Sequence, residues 1–497
     1  MNPLFKKLAS QTAVYGLSNI IGRFLNYLLV PIYTRVFLPA EYGVVNEMYA
    51  YASFLGVVFT YGMETSFFRY MTTEDNKKQV NDTALLSVIC STLLLSGLFI
   101  FFAGPIAGSI RFSAHPEYVV WFALILGFDA ITAIPFAKLR VKNLPGHYAF
   151  YKLFNIGINI ILNLYFLLLC PWLKAHGAGS ILTLGYNPSF GVGYVFVANL
   201  LSSGLTFLLM TPFFVRRRYS FNMALWKHMF RYAFPLLFVG LAGMVNETMD
   251  RILLKYFLPA GTDVEFQIGI YGACYKLSLL MTLFVQAFRM AGEPFFFGES
   301  NRPNAKEIYS LVMNYFLIAC FFIFLVVMLG MDIFKHFIGS RYHEGLDIVP
   351  ILLLANLCLG VYYNLTIWYK LTGKTTMGAY ISLMGAGITL LLNIWWIPLI
   401  GFRGSAWATL ICYASMMLVS YLSGQKYFYV PYNLRKAGLY GFVTLALWLL
   451  SLLIHQAFAE GTVAVTMTAN LLLLLAFLIF VYFVEVRKKL GKYTGRR

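Results

Sequence analysis

Long apolar runs recur along the entire chain and limit the folds that it can adopt. Segments of about 20 residues, each long enough to cross a hydrocarbon core of ~30 Å as an α-helix, follow one another through the 497 residues. Only 12% of the residues are charged, which is about half of the roughly 25% that a soluble domain carries. The sequence therefore predicts an all-α, polytopic membrane protein.

Fourteen membrane-spanning helices can be drawn on this pattern. The predicted spans are 10–34, 42–70, 81–104, 117–137, 149–170, 192–215, 229–257, 267–291, 307–330, 346–370, 376–400, 404–425, 436–455 and 463–484. The first span follows "FKK", exceeds the length of a signal-peptide core and has no small-residue cleavage site, so we interpret it as a retained helix. No attached soluble domain is expected.

The basic residues indicate orientation rather than nucleic-acid binding. The net charge is +18, but most Lys and Arg residues lie on connections on the N-terminal side of the membrane. The opposite connections hold Arg35, Arg111, Lys174, Lys255, Lys335, Arg341 and Arg403. By the positive-inside rule, both termini are expected in the cytoplasm, and no nucleic acid is expected as a partner.

Signals for enzyme chemistry are weak. "TGKTT" at 372–376 resembles a phosphate loop, but Trp368 stands where the first glycine should be, and no strand precedes it. The six cysteines lie singly, and the histidines show no metal-ligand spacing. We predict that the protein is not an enzyme and has no catalytic residues, no metal and no cofactor.

The sequence contains the same corner twice. "RVFLPAEYG" at 35–43 returns as "KYFLPAGTDVEFQIGIYG" at 255–272, with an insertion near 261–269. The match extends on both sides over a helical hairpin, where Asn26 corresponds to Asn246 and Glu64 to Glu293. Because the copies are six spans apart, an even number, they have the same orientation, which predicts a parallel repeat with a pseudo-twofold axis along the membrane normal.

The repeat predicts two pseudosymmetric six-helix lobes. Residues 1–218 would form the N-lobe with spans 1–6, and residues 219–430 the C-lobe with spans 7–12. Residues 431–497 would add spans 13 and 14 and a basic cytoplasmic tail. Chance similarity between two apolar hairpins is the alternative, although the matched residues include Gly, Pro and Glu.

Several ionisable residues fall inside the predicted spans, where a charge is costly and usually faces a water-filled cavity or a partner. They are Arg23, Glu47, Glu64, Asp129, Glu247, Asp250, Arg251 and Lys276. Arg23 is central in its span, which favours a cavity-facing role, whereas Glu64 lies near a helix end and favours an anchoring role. For Asp129, Asp250 and Arg251, structural and functional interpretations are equally open.

The repeat relates some of the polar positions within the spans. Glu47 and Lys276 are equivalent and carry opposite charges, so they can pair across the lobe interface in one transport state. Asn26 and Asn246 are also equivalent and suit a polar cavity for sugars. The predicted cavity residues are Arg23, Asn26, Glu47, Asn246, Asp250, Arg251 and Lys276.

Two segments carry a family resemblance. "AVYGLSNIIGRFLNYLLVPIYTRVFLPAEYGVVN" and "DRILLKYFLP" followed by "GIYGACYKLS", together with the fourteen spans, resemble the polysaccharide-transport branch of the multidrug/oligosaccharidyl-lipid/polysaccharide exporter superfamily. The resemblance implies a flippase for O-antigen, capsule or exopolysaccharide repeat units linked to undecaprenyl pyrophosphate. It further implies a bacterial inner membrane, alternating access and an ion gradient as the energy source, since the chain has no nucleotide-binding motif.

The resemblance also implies roles for residues. In relatives that move such lipids, basic residues line the cavity on helices 1, 2 and 8. Arg23 fits the first position and Lys276 the third, whereas Glu47 departs from the pattern. Glu47, Asp129 and Asp250 are the carboxylates expected to couple transport to protons or sodium. The expected partners are the lipid-linked oligosaccharide, membrane lipids, a polysaccharide polymerase and glycosyltransferases.

Three other functions stay open. A multidrug or organic-cation antiporter of the same superfamily would favour twelve helices and an acidic cavity. A peptidoglycan-precursor flippase would differ only in its cargo. A membrane-embedded polysaccharide polymerase or ligase is disfavoured because the longest outer connection, about 171–191, is short.

Overall fold

The computed structural model describes residues 20–177, 183, 185–215, 219–300, 302–457 and 463–487. Within these ranges the chain is helical and has no β-strand. Residues 20–27 form α1. The later helices are α2 Val30–Val36, α3 Pro39–Thr60, α4 Met63–Thr73, α5 Lys77–Phe101, α6 Ala103–Ser109, α7 Pro116–Val141, α8 Pro145–Leu164, α9 Cys170–Ala175, α10 Gly193–Leu209, α11 Met223–Phe257, α12 Val264–Leu277, α13 Leu279–Glu299, α14 Ala305–Leu329, α15 Met331–Phe334, α16 Val349–Leu365, α17 Ile367–Leu371, α18 Thr375–Ile400, α19 Phe402–Tyr427, α20 Leu434–Ala457 and α21 Val463–Tyr482.

Each predicted span overlaps with helix in the described residues. Ten helices there are long and apolar enough to cross a membrane, and an eleventh is obtained if α12 and α13, bent by 54°, count as one span. Span 1 lies partly outside the described residues, span 2 is interrupted between α3 and α4, and span 6 corresponds to the shorter apolar helix α10. The structure therefore confirms a polytopic all-α membrane protein, whereas the number fourteen stays a prediction.

Two turns related by the repeat share one geometry. Residues 142–144 join α7 to α8, and residues 372–374 join α17 to α18. The central residues Asn143 and Gly373 both have positive φ, 53° and 71°. A left-handed residue just after a helix satisfies its last carbonyls, and Gly and Asn adopt that conformation at the lowest cost. The backbone thus repeats beyond the corners from which the repeat was inferred.

The chain divides into two compact units. The first comprises Met1–Gly272 with Thr389–Phe402, and the second comprises Ala273–Ile388 with Arg403–Arg497. Helix α11 and the first part of α12, which the repeat assigns to the C-lobe, therefore pack within the first unit. The predicted lobes stay a prediction, because equivalence in a repeat and compactness are different criteria.

A buried apolar core holds the helices of the first unit together. Phe59, Phe67, Val80, Ile134 and Met229 are each at most 1% exposed and belong to one cluster. They come from α3, α4, α5, α7 and α11. Close packing of these side chains fixes which faces of the helices meet, because van der Waals contact is a main source of helix association in a bilayer. It also sets the register of the polar residues that the helices carry.

The added helices α20 and α21 pack on α14 in the second unit. An apolar cluster around Phe477 covers part of this contact. Glu485, which follows α21, is 6% exposed. Its carboxylate accepts hydrogen bonds from Asn314, Lys436 and Tyr440, at 2.9, 2.6 and 2.5 Å. The predicted spans 13 and 14 are thus joined to α14 by packing and by a satisfied buried carboxylate.

Candidate functional site

A buried ion pair joins α3 to α11. Both carboxylate oxygens of Glu47 in α3 lie 2.9 Å from Nζ of Lys255, in the last turn of α11. The Lys255 side chain is 1% exposed and the Glu47 side chain is fully buried. Because removing an ion from water costs several kcal/mol unless it is paired, each charge is tolerated here only with the other.

Further groups complete the surroundings of Lys255. The centroid of the Phe112 ring lies 3.6 Å from Nζ, and a carboxylate oxygen of Glu265 lies 3.7 Å away. Arg111 donates a hydrogen bond to the backbone carbonyl of Lys255 at 3.2 Å. The two carboxylates thus share the Lys255 ammonium, and the cluster links α3, α11, α12 and the turn before α7.

Glycines allow the backbones of α3 and α12 to meet beside this cluster. A Cβ on Gly43 would overlap with the carbonyl oxygen of Glu265, and a Cβ on Gly269 would overlap with that of Pro39. A Cβ on Gly272, the repeat equivalent of Gly43, would lie 2.5 Å from the Asn46 side chain. The two copies of the corner thus pack directly against each other, and glycine is needed because the approach leaves no room for a side chain.

Replacing Gly269 with alanine is expected to force α3 away from α12 and to lower the free energy of unfolding by about 1–3 kcal/mol, as overpacking usually does. Thermal unfolding of the purified protein in detergent measures the change. Gly157→Ala in α8 is the matched control, since a Cβ there meets no atom within 4 Å, and it should be neutral or stabilising. Equal melting temperatures for both variants would contradict the close contact.

Asp250 and Arg251 form a local pair within the same helix, α11. An Arg251 nitrogen lies 3.6 Å from Asp250 Oδ1 and donates to the Glu247 carbonyl at 3.3 Å. The Tyr271 hydroxyl donates to the other Asp250 oxygen at 2.5 Å. Tyr271 belongs to the second copy of the corner, so Asp250 fixes α12 against α11 and has a structural role in this arrangement.

The structure gives Glu47 a partner different from the one that the repeat suggested. Lys276 was its predicted counterpart, but the buried contact of Glu47 is with Lys255. The charge pattern assigns Lys255 to an outer connection, because it lies close to the end of span 7. Glu265 lies within the insertion at 261–269 that distinguishes the two copies, and that difference is the one sequence signal that marks it.

The other predicted residues occupy different surroundings. Arg23 and Asn26 are exposed on α1, and Lys276 is half-buried. Asn246 is 9% exposed and accepts a hydrogen bond from Thr389 at 3.4 Å.

Asp129 in α7 belongs to a separate polar group in the first unit. The Ser203 hydroxyl and the Lys152 ammonium lie near its carboxylate, while the side chain keeps an exposed surface. Asp129 therefore combines a hydrogen-bonding partner and a nearby positive charge with access from outside the unit.

A second kind of ion pair recurs in each unit, at the ends predicted to be cytoplasmic. Glu64 in α4 pairs with Arg140 near the end of α7. Its repeat equivalent Glu293 in α13 pairs with Lys370 near the end of α17, at 2.7 Å. All four side chains are partly exposed, so each pair contributes only about 0–1 kcal/mol. This placement agrees with the anchoring role considered for Glu64.

Comparison with known proteins shows which proteins share this sequence pattern and this fold. Residues 8–300 match the family model described as "Polysaccharide biosynthesis protein". No curated protein sequence matches the chain significantly. Among solved structures, "Lipid II flippase MurJ, inward closed conformation" superposes with a TM-score of 0.72 at 14% identity, covering 94% of this chain and 98% of that one. An inward-facing multidrug resistance MATE transporter gives a TM-score of 0.59 at 15% identity, covering 84% and 94%.

The fold is that of a class of polytopic membrane proteins that includes the lipid II flippase MurJ and a multidrug resistance MATE family transporter. Because the family match covers more than half of the 497 residues, the chain belongs to the polysaccharide biosynthesis protein family. The resemblance seen in the sequence is thereby confirmed.

Proposed function

We propose that the protein is a flippase that moves undecaprenyl-pyrophosphate-linked oligosaccharide repeat units from the inner to the outer leaflet of the bacterial cytoplasmic membrane. It would work by alternating access and draw on an ion gradient. Both termini would lie in the cytoplasm, and glycosyltransferases and a polysaccharide polymerase would act before and after it.

The observation that carries this proposal is the family match over residues 8–300 on a fold shared with a lipid flippase. The family description concerns polysaccharide biosynthesis, and the structural neighbour is described as a lipid II flippase. A membrane protein that serves polysaccharide synthesis with this fold is most simply a carrier of lipid-linked saccharides.

The polar residues of α1 support the same function. Arg23 and Asn26 lie within a predicted span and are exposed, although a charge facing hydrocarbon would cost several kcal/mol. A water-filled substrate pathway removes that cost. Arg23 would then neutralise the pyrophosphate, and Asn26 would bond sugar hydroxyls.

Coupling to ions is proposed for the carboxylates Glu47, Asp129 and Asp250. Two of them are engaged in this structure, Glu47 by Lys255 and Asp250 by Tyr271. Asp129 combines an exposed surface with neighbouring Ser203 and Lys152, so it is the carboxylate that an ion can reach without first breaking a buried contact.

A peptidoglycan-precursor flippase is the second candidate. The motivation is that the chain shares its fold with the lipid II flippase MurJ over 98% of that protein's length. The two candidates share a pyrophosphate-linked polyprenyl carrier and differ in the saccharide.

Deleting the gene and analysing the lipid-linked intermediates of each leaflet tests the proposal. Oligosaccharide repeat units trapped on the inner leaflet, with peptidoglycan synthesis and sensitivity to organic cations unchanged, would support it. Accumulation of the peptidoglycan precursor would transfer support to the second candidate. Unchanged levels of both lipids on both leaflets would refute the two together.

A further inference from the structure

The first unit contains an apolar cavity of about 340 Å³. Its walls come from α3, α5, α6, α7 and α11, and the side chains include Tyr51, Phe59, Ile106, Phe122 and Ile252. Of the lining residues that the structure describes, Tyr51 alone carries a polar side-chain group. Water in a cavity needs two to four polar partners, so this space does not suit water and instead suits a hydrocarbon ligand.

The cavity reaches the surface of the unit beside α5 and α6. Its lining residues Phe99, Ile106 and Ile110 are half-buried. The neighbouring surface is apolar and exposed, with Phe101 80% and Leu94 64% accessible. In a membrane such a surface contacts acyl chains, so a lipid chain can enter without crossing water.

Cationic and polar groups lie at one end of the cavity. Arg111 follows the lining residue Ile110, is exposed, and has its guanidinium 5.2 Å from the centroid of the Tyr256 ring. The hydroxyls of Tyr256 and the lining residue Tyr51 are 3.1 Å apart. An anionic phosphate at Arg111 with hydrocarbon in the cavity would match this polarity.

The size of the cavity selects among anionic lipids. At about 30 Å³ for a group of the size of water or methylene, 340 Å³ holds roughly eleven methylene groups, which is most of one acyl chain. The much longer undecaprenyl chain of the proposed substrate does not fit. The turn carrying Arg111 follows α6, which the charge pattern assigns to the outer side of the membrane.

We propose that this cavity binds one acyl chain of an anionic phospholipid of the outer leaflet, with the phosphate at Arg111. The lipid would fill the space between α3 and α11 next to the Glu47–Lys255 ion pair, since Tyr51 is bonded to Tyr256 at its edge. Bound phospholipid therefore stabilises the contact between these two helices, whichever saccharide the protein carries.

Photolabelling of the full-length protein in lipid nanodiscs tests this. The probe is phosphatidylglycerol with a diazirine near the end of one acyl chain, and adducts are located by mass spectrometry. We expect adducts on residues 48–59 and 119–126, at a yield well above the yield on the exposed surface at 391–399. Unlabelled phosphatidylglycerol should compete and lower the yield at the cavity. Phosphatidylcholine with the same diazirine chain should label the cavity less.

Variants distinguish binding of the acyl chain in the cavity from binding of the lipid headgroup at Arg111. Ala52→Leu fills the cavity and should remove most adducts at these residues. Gly97→Leu, on the exposed face of α5 where a Cβ meets no atom within 4 Å, should leave them unchanged. Arg111→Gln should keep the labelling but abolish the preference for phosphatidylglycerol over phosphatidylcholine.

Several results would overturn the proposal. They are equal labelling of the wild type and Ala52→Leu, absence of competition by unlabelled phosphatidylglycerol, a preference that survives Arg111→Gln, and labelling of the cavity by a diazirine polyprenyl phosphate in place of the phospholipid. The competition experiment uses the wild-type protein, so it decides the matter even if a variant fails to fold.

Discussion

Replacing Lys255 with alanine is expected to lower the free energy of unfolding by about 3–5 kcal/mol, because the substitution leaves the buried Glu47 carboxylate without its partner. The two residues are 208 positions apart, so the loss falls on the contact between α3 and α11. Thermal unfolding of the purified protein in detergent measures it, and we expect the melting temperature to fall by several degrees.

A double replacement distinguishes the effect of an unpaired buried charge from the effect of changing side-chain size at the same positions. Glu47→Gln with Lys255→Met removes both charges, and replacing a buried pair by neutral groups is often neutral or stabilising. The double variant should therefore recover most of the stability that Lys255→Ala loses. If it is as unstable as the single variant, the ion pair is not the cause.

Arg140→Ala provides the matched control, because it removes a more exposed ion pair, between α7 and Glu64 in α4. Its pair with Glu64 is about one third exposed on each side, so its removal should cost only about 0–1 kcal/mol. A loss as large as that of Lys255→Ala would show that burial does not decide the size of these effects.

Replacing Arg23 with alanine is expected to abolish export while the protein level stays normal. Its side chain is exposed within a predicted span, so its loss removes a charge that would face the pyrophosphate and leaves no buried partner behind. Export is measured as surface polysaccharide in a deletion strain that carries the variant, with membrane protein quantified in the same cells.

Two further variants give this experiment its controls. Arg23→Lys keeps the charge and should retain part of the activity, although it loses the bidentate geometry that suits phosphate. Arg35→Ala removes a cation from the end of the same helical region and should leave export intact. Full export by Arg23→Ala would remove this residue from the proposed substrate pathway without affecting the family assignment.

The local features of this protein were predictable from the sequence. Each predicted span overlaps with helix, because the length and polarity of a run decide whether it can cross a bilayer. Glu64 and Glu293, which the repeat relates, each form an ion pair with a basic residue near the end of another helix. A similar turn recurs at Asn143 and Gly373, where a left-handed residue is needed after a helix.

The sequence by itself thus determined the membrane class and the helical segments, both of which depend on residues near each other in the chain. Tertiary structure alone decided that Glu47 meets Lys255, which depends on how closely two distant helices pack. The same close packing of helices explains why the two corners contain glycine. At Gly43 and Gly269 the backbones of α3 and α12 come into direct contact. The charges beside these glycines are then buried together, because no space remains for water.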